Sequence, residues 1–440
     1  MALSFRGGIH PEEMKLSAKC PIEEKQALEF VTIPLSQHIG KEALPLVKVG
    51  DHVCKGQKIG EADEGISCPV HASVSGKVVA IEQGITHFGE STLVTIENDF
   101  KEELSPEIVP FDTPISQADP EKLISHIREK GIVGMGGKGF PTWIKLKEGR
   151  GKVQKLIINC AESEPYLTSV HRLLLEKPEE IVGGVKILLR ASGAKKAIFA
   201  IEKNKEDAID RLQKIIGQSE NFAIAVMETK YPQGNERVLI RTLTGKEVPA
   251  GKLPLSLGLS IFSAQTCRAT YRAFVTGMPL ISCVVTVSGE CVKTPSNLLL
   301  PIGVSFRQAL EMCGGFAQKP DIIVAGGPML GENVENVDFP ITKTTNAVIA
   351  IKEKTYKESP CIRCGRCVKV CPVGLMPLEL AKSVVRGNLK RAEFYHITTC
   401  CGCGSCTYIC PARIPLLENI KKGKAALLNE KKENEAKEEV

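Results

Sequence analysis

Two cysteine runs near the C-terminal end constrain this 440-residue chain more than any other feature. CIRCGRCVKVCP supplies Cys361, Cys364, Cys367 and Cys371, spaced C-x2-C-x2-C-x3-C-P. CCGCGSCTYICP repeats the spacing with Cys400, Cys403, Cys406 and Cys410. Three thiols two residues apart wrap one corner of a multinuclear centre, while the fourth, after a short helical turn, points away. A structural zinc site would show two C-x2-C pairs rather than triplets with a trailing C-P. Gly365, Gly402, Gly404 and Ser405 are small enough to let main-chain amides approach bound sulfides, and Pro372 and Pro411 end the motifs.

Doubled in this form, the pattern specifies two [4Fe–4S] clusters, in which the fourth cysteine of each run ligates the other cluster. One cluster is therefore assigned to Cys361, Cys364, Cys367 and Cys410. The other takes Cys400, Cys403, Cys406 and Cys371, leaving Cys401 spare. Cys20, Cys54, Cys68, Cys267, Cys283, Cys291 and Cys313 sit in apolar or loop contexts and read as small hydrophobes or surface thiols.

Upstream, the pattern changes three times. Residues 30–100 alternate apolar and polar side chains between glycine-bearing turns, which predicts short strands. VKVGDHVCKGQKIG and VHASVSGKVVAIE rhyme and resemble the two halves of a biotinyl- or lipoyl-carrier sandwich. The hairpin that would carry the modifiable lysine reads EADEGISCPVHA and has none, so a static module is expected. From about residue 115, PEKLISHIREKG, KPEEIVGGVKILLRASG and KEDAIDRLQKIIGQ predict helices that alternate with the strands KLIINCAE, KAIFAIE and FAIAVME. That alternation argues an α/β layer with a largely parallel sheet. From 284, VVTVSGECVKTPSNLLLPIGVSFRQALEMCGG and PDIIVAGGPMLG predict a small β-grasp module. The expected division is 1–110 for an N-terminal extension and barrel-sandwich hybrid, 115–283 for the α/β domain, 284–352 for the β-grasp and 353–420 for the ferredoxin-like domain. Residues 421–440 form a charged tail, read as a frayed helix or disorder.

The α/β domain carries IVGMGGKGFPT, with Gly134, Gly136, Gly137 and Gly139 around Lys138. GMGGKG matches G-x-G-x-x-G, but a helix precedes it where a dinucleotide fingerprint needs a strand, and it lacks the GK[ST] ending of a P-loop. The following IINCAESEPY places Asn159, Glu162 and Glu164 just after a strand, where ligand-facing polar residues gather in open α/β sheets.

GMGGKGFPTWIK, NCAESEPY and KYPQGNERVLIRTLTG resemble the flavin-bearing, NADH-oxidising subunit of respiratory complex I. With GGIHPEE, the sandwich, the β-grasp and the doubled cysteine motif in this order, the chain to about residue 420 resembles the RnfC family of Rnf complexes. The resemblance implies an FMN loop at Gly134, Gly136, Gly137, Lys138 and Gly139, with Lys145 beside it, and Phe140 stacking on the nicotinamide nucleotide. It implies flavin contacts at Asn159 and Glu162, a third segment at Tyr231, Gly234 and Glu236, and a site position at Thr266. Glu164, near the nucleotide, is the expected catalytic residue. Departures are Ala161 for an aspartate and Ser263 for an asparagine. Lys147 and Glu148 stand where a second aromatic is usual, for which Trp143 is the available substitute.

The implied function is electron exchange between NAD(H), FMN and two [4Fe–4S] clusters, as a subunit of an ion-translocating ferredoxin:NAD+ oxidoreductase. A nicotinamide moves two electrons and a cluster one, and a flavin does both. The implied partners are other membrane and peripheral Rnf-type subunits, with ferredoxin reached indirectly. Two alternatives use the same residues: a non-catalytic scaffold with a degenerate flavin site, or a cobalamin-reductase-type flavoprotein, whose sandwich lies at the other end. A net charge of +6 is too mild to argue for nucleic acid. No apolar run approaches the ~18 residues of a membrane span, and MALSFRGGIHPEEM has no signal-peptide core. A peripheral position on the cytoplasmic side of the inner membrane is expected.

Overall fold

The glycine-punctuated pattern of the first hundred residues closes two small sheets. The computed structural model describes residues 2–86, 89–353 and 356–438, with side chains through 431. After an extension ending in β1 (Ile22–Glu24), β2 (Phe30–Pro34), β3 (Leu44–Pro45), β4 (His52–Val53), β5 (Lys58–Glu61), β6 (Val70–His71), β7 (Gly76–Thr86) and β8 (Gly89–Asn98) build the sandwich. One sheet runs β2-β8-β7-β4 and the other β3-β5-β6. Alternate residues Val31, Ile33, Val94 and Ile96 are fully buried between them.

The α/β domain begins with α1 (Pro120–Glu129), capped by the Asp119 carboxylate, and α2 (Thr142–Gly149). β9 (Lys155–Asn159), α3 (Ser169–Glu176), α4 (Pro178–Ser192), β10 (Lys196–Glu202), α5 (Glu206–Ile216), β11 (Phe222–Met227), α6 (Glu236–Thr244), β12 (Leu259–Ser263) and α7 (Ala264–Val275) follow. The sheet is all parallel in the order β11-β10-β9-β12. The chain therefore reverses its direction of travel across the sheet between β9 and β12. Helices cover both faces: Leu156 and Ile158 join the core shared with α4 and α7, and Ile157 packs with Leu239 and Ile240 of α6.

The β-grasp comprises β13 (Ser282–Ser288), β14 (Ser296–Pro301), α8 (Phe306–Met312), β15 (Ile322–Ala325), β16 (Glu332–Asn333) and β17 (Ala347–Ile351). Its six-stranded sheet, β1-β14-β13-β17-β15-β16, recruits β1 from the N-terminal extension in parallel with β14. The last domain holds α9 (Arg366–Val370), α10 (Pro377–Val385), α11 (Leu389–Phe394), α12 (Ser405–Tyr408) and α13 (Leu416–Glu438). The charged tail thus continues as helix α13 to Glu438, anchored by buried Leu416, Ile420 and Leu427.

The first residues strap these domains together. Leu3 bridges Met227 at the end of β11, Ile9 pairs with Tyr231, and the Gly8 amide donates to the Val370 carbonyl (2.8 Å). The Lys15 ammonium donates to the carbonyls of Glu162, Glu164 and Leu167, each at 2.8 Å. Burial lowers its pKa to about 8, against the pull of the Glu162 carboxylate.

Candidate functional site: a glycine loop, a sheet edge and two cysteine hollows

The loop after α1 is held at its neck and open at its tip. The Gly134 amide donates to the Phe140 carbonyl (2.9 Å) and the Thr142 amide to the Ile132 carbonyl (3.1 Å), closing the neck. Thr266 pins it from α7: its hydroxyl accepts from the Met135 amide (2.9 Å) and donates to the Val133 carbonyl (3.2 Å). Gly139, at φ +68°, lies so close to the sandwich that a Cβ there would sit 2.7 Å from the Gln37 carbonyl oxygen. At the tip, Gly136, Gly137 and Lys138 are exposed. A Cβ on Gly137 would meet nothing within 4 Å, and on Gly136 only the Asn346 amide at 3.9 Å. Free amides on a glycine tip, beside the N-terminus of a twelve-residue helix, could hold a phosphate in a cradle. Phe140 is half-buried at the edge of that cradle.

Ser263 caps α7 by accepting from the Thr266 amide (3.1 Å), and sits in register with Asn159 across β12 and β9. The two residues mark the carboxyl ends of the strands between which the sheet order reverses, the usual ligand crevice of an open parallel sheet. Asn159 is fixed by donating to the Gly234 carbonyl (2.9 Å) and accepting from the Ala161 amide (3.1 Å). A Cβ on Gly234 would touch Ala161 at 3.5 Å. Lys145 lies half-buried below this edge, donating to the Ile261 carbonyl (2.9 Å) over the Phe262 ring. Burial lowers its pKa and the charge of Glu236, the first residue of α6, opposes the shift. The loop, Thr266, Ser263, Asn159 and Gly234 are thus one connected set.

Three expected residues are turned elsewhere. Glu162 directs its carboxylate at α3, accepting from the Val170 amide (2.8 Å) and the His171 amide (3.3 Å), so it serves as that helix's cap. Trp143 does not take the place of the second stacking aromatic. Its indole donates to the Ser67 carbonyl of the sandwich (3.0 Å), and the Arg128 guanidinium covers its ring. Tyr231, fully buried, donates to the Cys403 carbonyl (2.6 Å). Glu164 lies between these elements. Its Oε2 accepts from the Met329 amide (2.9 Å) in the turn between β15 and β16, and its Oε1 is buried with no partner among the described residues. Burial pushes its pKa up to about 7.

Nothing local in the sequence marks Lys15, whose carbonyl partners lie about one domain further along the chain. Nor does anything mark the buried Lys205–Glu202 pair (2.7 Å) that receives the Glu162 amide at the end of β10. Ser263 is the exception: S-x-x-T before a helix reads as an N-cap once α7 is recognised.

In the last domain, Cys361, Cys364, Cys367 and Cys410 line one cavity of about 400 Å³. The Cys367 thiol is raised by burial first, with the Cys410 and Cys364 sulfurs adding to it. The other four form a second group: burial, then the neighbouring Cys403, Cys400 and Cys371, push the Cys406 thiol up to about 12. Thiols crowded so closely ionise together only around a cation, so both sets fit an iron–sulfur cluster. The first group reaches the surface at exposed Cys364. The second faces inward, where Cys403 packs with Ile9 and Tyr231.

Four family descriptions match in succession. They are the RnfC barrel sandwich hybrid domain (residues 3–101), the Nuo51 FMN-binding domain (127–272), the SLBB domain (284–333) and the 4Fe-4S dicluster domain (360–414). The C subunit of the Na(+)-translocating ferredoxin:NAD(+) oxidoreductase complex of Acetobacterium woodii is 38% identical over 89% of each chain. Its proton-translocating counterpart of Clostridium ljungdahlii is 41% identical over 87% of this chain and 84% of its own. An NAD+-reducing [NiFe]-hydrogenase crystal structure superposes with a TM-score of 0.50 at 18% identity, covering 67% of this chain and 60% of that one, which speaks to the fold alone.

Proposed function

Since this chain belongs to the RnfC family, the C subunits of ion-translocating ferredoxin:NAD+ oxidoreductase complexes, we propose that it exchanges electrons between NAD(H), FMN and two [4Fe–4S] clusters as a peripheral subunit on the cytoplasmic side of the inner membrane. It is an electron-transfer subunit of an oxidoreductase complex, and other subunits of that complex are its partners. Among the described residues no helix is long and apolar enough to cross a membrane. The coupled ion movement is assigned to those partners.

When bound, FMN supplies the exchange between hydride and single-electron transfer, and the clusters supply conduction. The chain's own residues hold and align these groups. The Gly136 and Gly137 amides and the start of α7 would receive the FMN phosphate, with Thr266 fixing the loop that presents them. Asn159 and Gly234 present polar groups at the sheet edge, and Phe140 offers a face for the nucleotide. Glu164, whose buried Oε1 has no partner among the described residues, would accept from a donor on NADH that enters there. Cys371, Cys400, Cys403 and Cys406 would hold the cluster next to the flavin domain, and Cys361, Cys364, Cys367 and Cys410 the one next to solvent.

The observation that carries this reading is the Tyr231–Cys403 contact, which joins the third flavin-domain segment to the inner cysteine group. On this reading electrons pass from the sheet edge to the inner cluster and then to the outer one. Acid extraction of anaerobically purified protein should release one FMN per chain, and NADH should reduce both clusters. Clusters without FMN, unresponsive to NADH, would instead support a scaffold with a degenerate flavin site.

A further inference from the structure

On the sandwich domain, outside the candidate site, three metal-ligating side chains converge. One imidazole nitrogen of His52, the Cys54 sulfur and a Glu103 carboxylate oxygen all lie within 4.8 Å of one another. The main chain fixes them there. β4 pairs His52 with Lys77, and Lys55 bridges Leu104 in parallel. The Lys55 amide donates to the Glu103 carbonyl (2.7 Å) and the Ser105 amide to the Lys55 carbonyl (2.9 Å). The Cys54 amide is held by the Gln57 side chain (2.9 Å).

A second observation points to a ligand. His52 Nε2 lies 3.1 Å from Asp99 Oδ2. Asp99 is itself anchored, its Oδ1 accepting from the Ser75 hydroxyl (2.6 Å) and the Lys101 amide (3.0 Å). Donation of Nε2–H to this carboxylate would leave the Nδ1 lone pair for a cation, the arrangement that orients metal-bound histidines.

We propose that His52, Cys54 and Glu103 bind one borderline divalent transition-metal ion, with Zn2+ the best match to one nitrogen, one sulfur and one oxygen donor. Asp99 is a positioning residue. The exposure of His52 gives access from solvent and leaves a fourth coordination position to water. The ion staples β4 to the segment after β8, which leaves the sandwich for the flavin domain and docks there through the Phe111 amide on the Phe274 carbonyl (2.8 Å).

The test uses the full cluster-loaded chain, treated anaerobically with a chelator and titrated with ZnCl2. One zinc per chain should survive gel filtration with iron unchanged at about eight per chain. Zinc-edge X-ray absorption should show one sulfur at about 2.3 Å among lighter donors. Cys54→Ser and His52→Gln should abolish stoichiometric uptake. Asp99→Asn should weaken it about 10–100-fold while leaving the sulfur signature in place. Zinc should raise the Tm of wild type and not of Cys54→Ser. Absence of uptake, a spectrum without sulfur, or equal uptake by Cys54→Ser would each overturn the proposal.

Discussion

The Tyr231 hydroxyl donates to the main-chain carbonyl of Cys403 over 2.6 Å, so a side chain of the flavin domain holds the backbone of an inner cysteine. Tyr231→Phe keeps the ring and removes that bond, at a stability cost of about 1 kcal/mol. FMN and iron should stay at wild-type levels. Stopped-flow mixing with NADH should show flavin reduction unchanged and cluster reduction slowed. An unaltered cluster phase would mean that the contact is only packing.

Gly137 allows a cleaner probe of the loop than Gly136, whose φ of +78° would strain any side chain. A Cβ on Gly137 meets no protein atom within 4 Å, so Gly137→Val should fold with both clusters and lose FMN, because the isopropyl group fills the cradle. Full flavin occupancy in this variant would show that the tip is an ordinary turn.

Glu164→Gln tests the nucleotide site. FMN and iron should be retained while kcat/KM for NADH falls roughly tenfold, about 1.4 kcal/mol of lost transition-state stabilisation. Wild-type kcat/KM should change with an apparent pKa near 7, the value to which burial raises this carboxyl, and the variant's profile should be flat there. The stability effect has a defined sign. The folded state holds this proton up to about 7 and the unfolded chain only to the usual 4.5. The stability from this group is therefore complete below 4.5 and is lost as the pH rises through 7. Glu164→Gln should remove that slope from a denaturation series. NADH kinetics indifferent to the change would take Glu164 out of the site.

Cys410→Ala removes a wall of the cavity that it shares with Cys361, Cys364 and Cys367. Iron should drop from about eight to about four per chain. The remaining EPR signal should be that of the inner cluster, still reducible by NADH. Loss of the inner signal with the outer one intact would reverse the cross-motif ligation.

What was legible in the sequence was what local spacing encodes. The cysteine runs carry their own geometry, and the glycine loop declares an open backbone. The alternation from α1 to α7 predicts a parallel sheet whatever its strand order. Direction in space was not legible. Glu162 sits beside Glu164 and Asn159 in one short stretch, yet its carboxylate caps α3, because the chain between Ser163 and Thr168 doubles back. Trp143 belongs to the loop's flank in sequence and to the sandwich in space. β1, with the sequence IEE, has too few apolar residues to announce a strand, and only its partner β14 makes it one.

The N-terminal strap has a consequence for how the molecule is made. Gly8 leaves the ribosome long before its partner carbonyl, Val370, which belongs to the cluster domain. Ile9 must wait for Tyr231, and β1 for β14. Contacts of such sequence separation must pay a large loop-closure entropy and cannot form before both partners have been made. The N-terminal strap therefore acts as a seal on the finished molecule, drawn tight once the cluster domain has emerged. A nascent chain halted before that domain would leave this seal half open, with Lys15 able to reach its three carbonyls while Gly8 still lacked Val370.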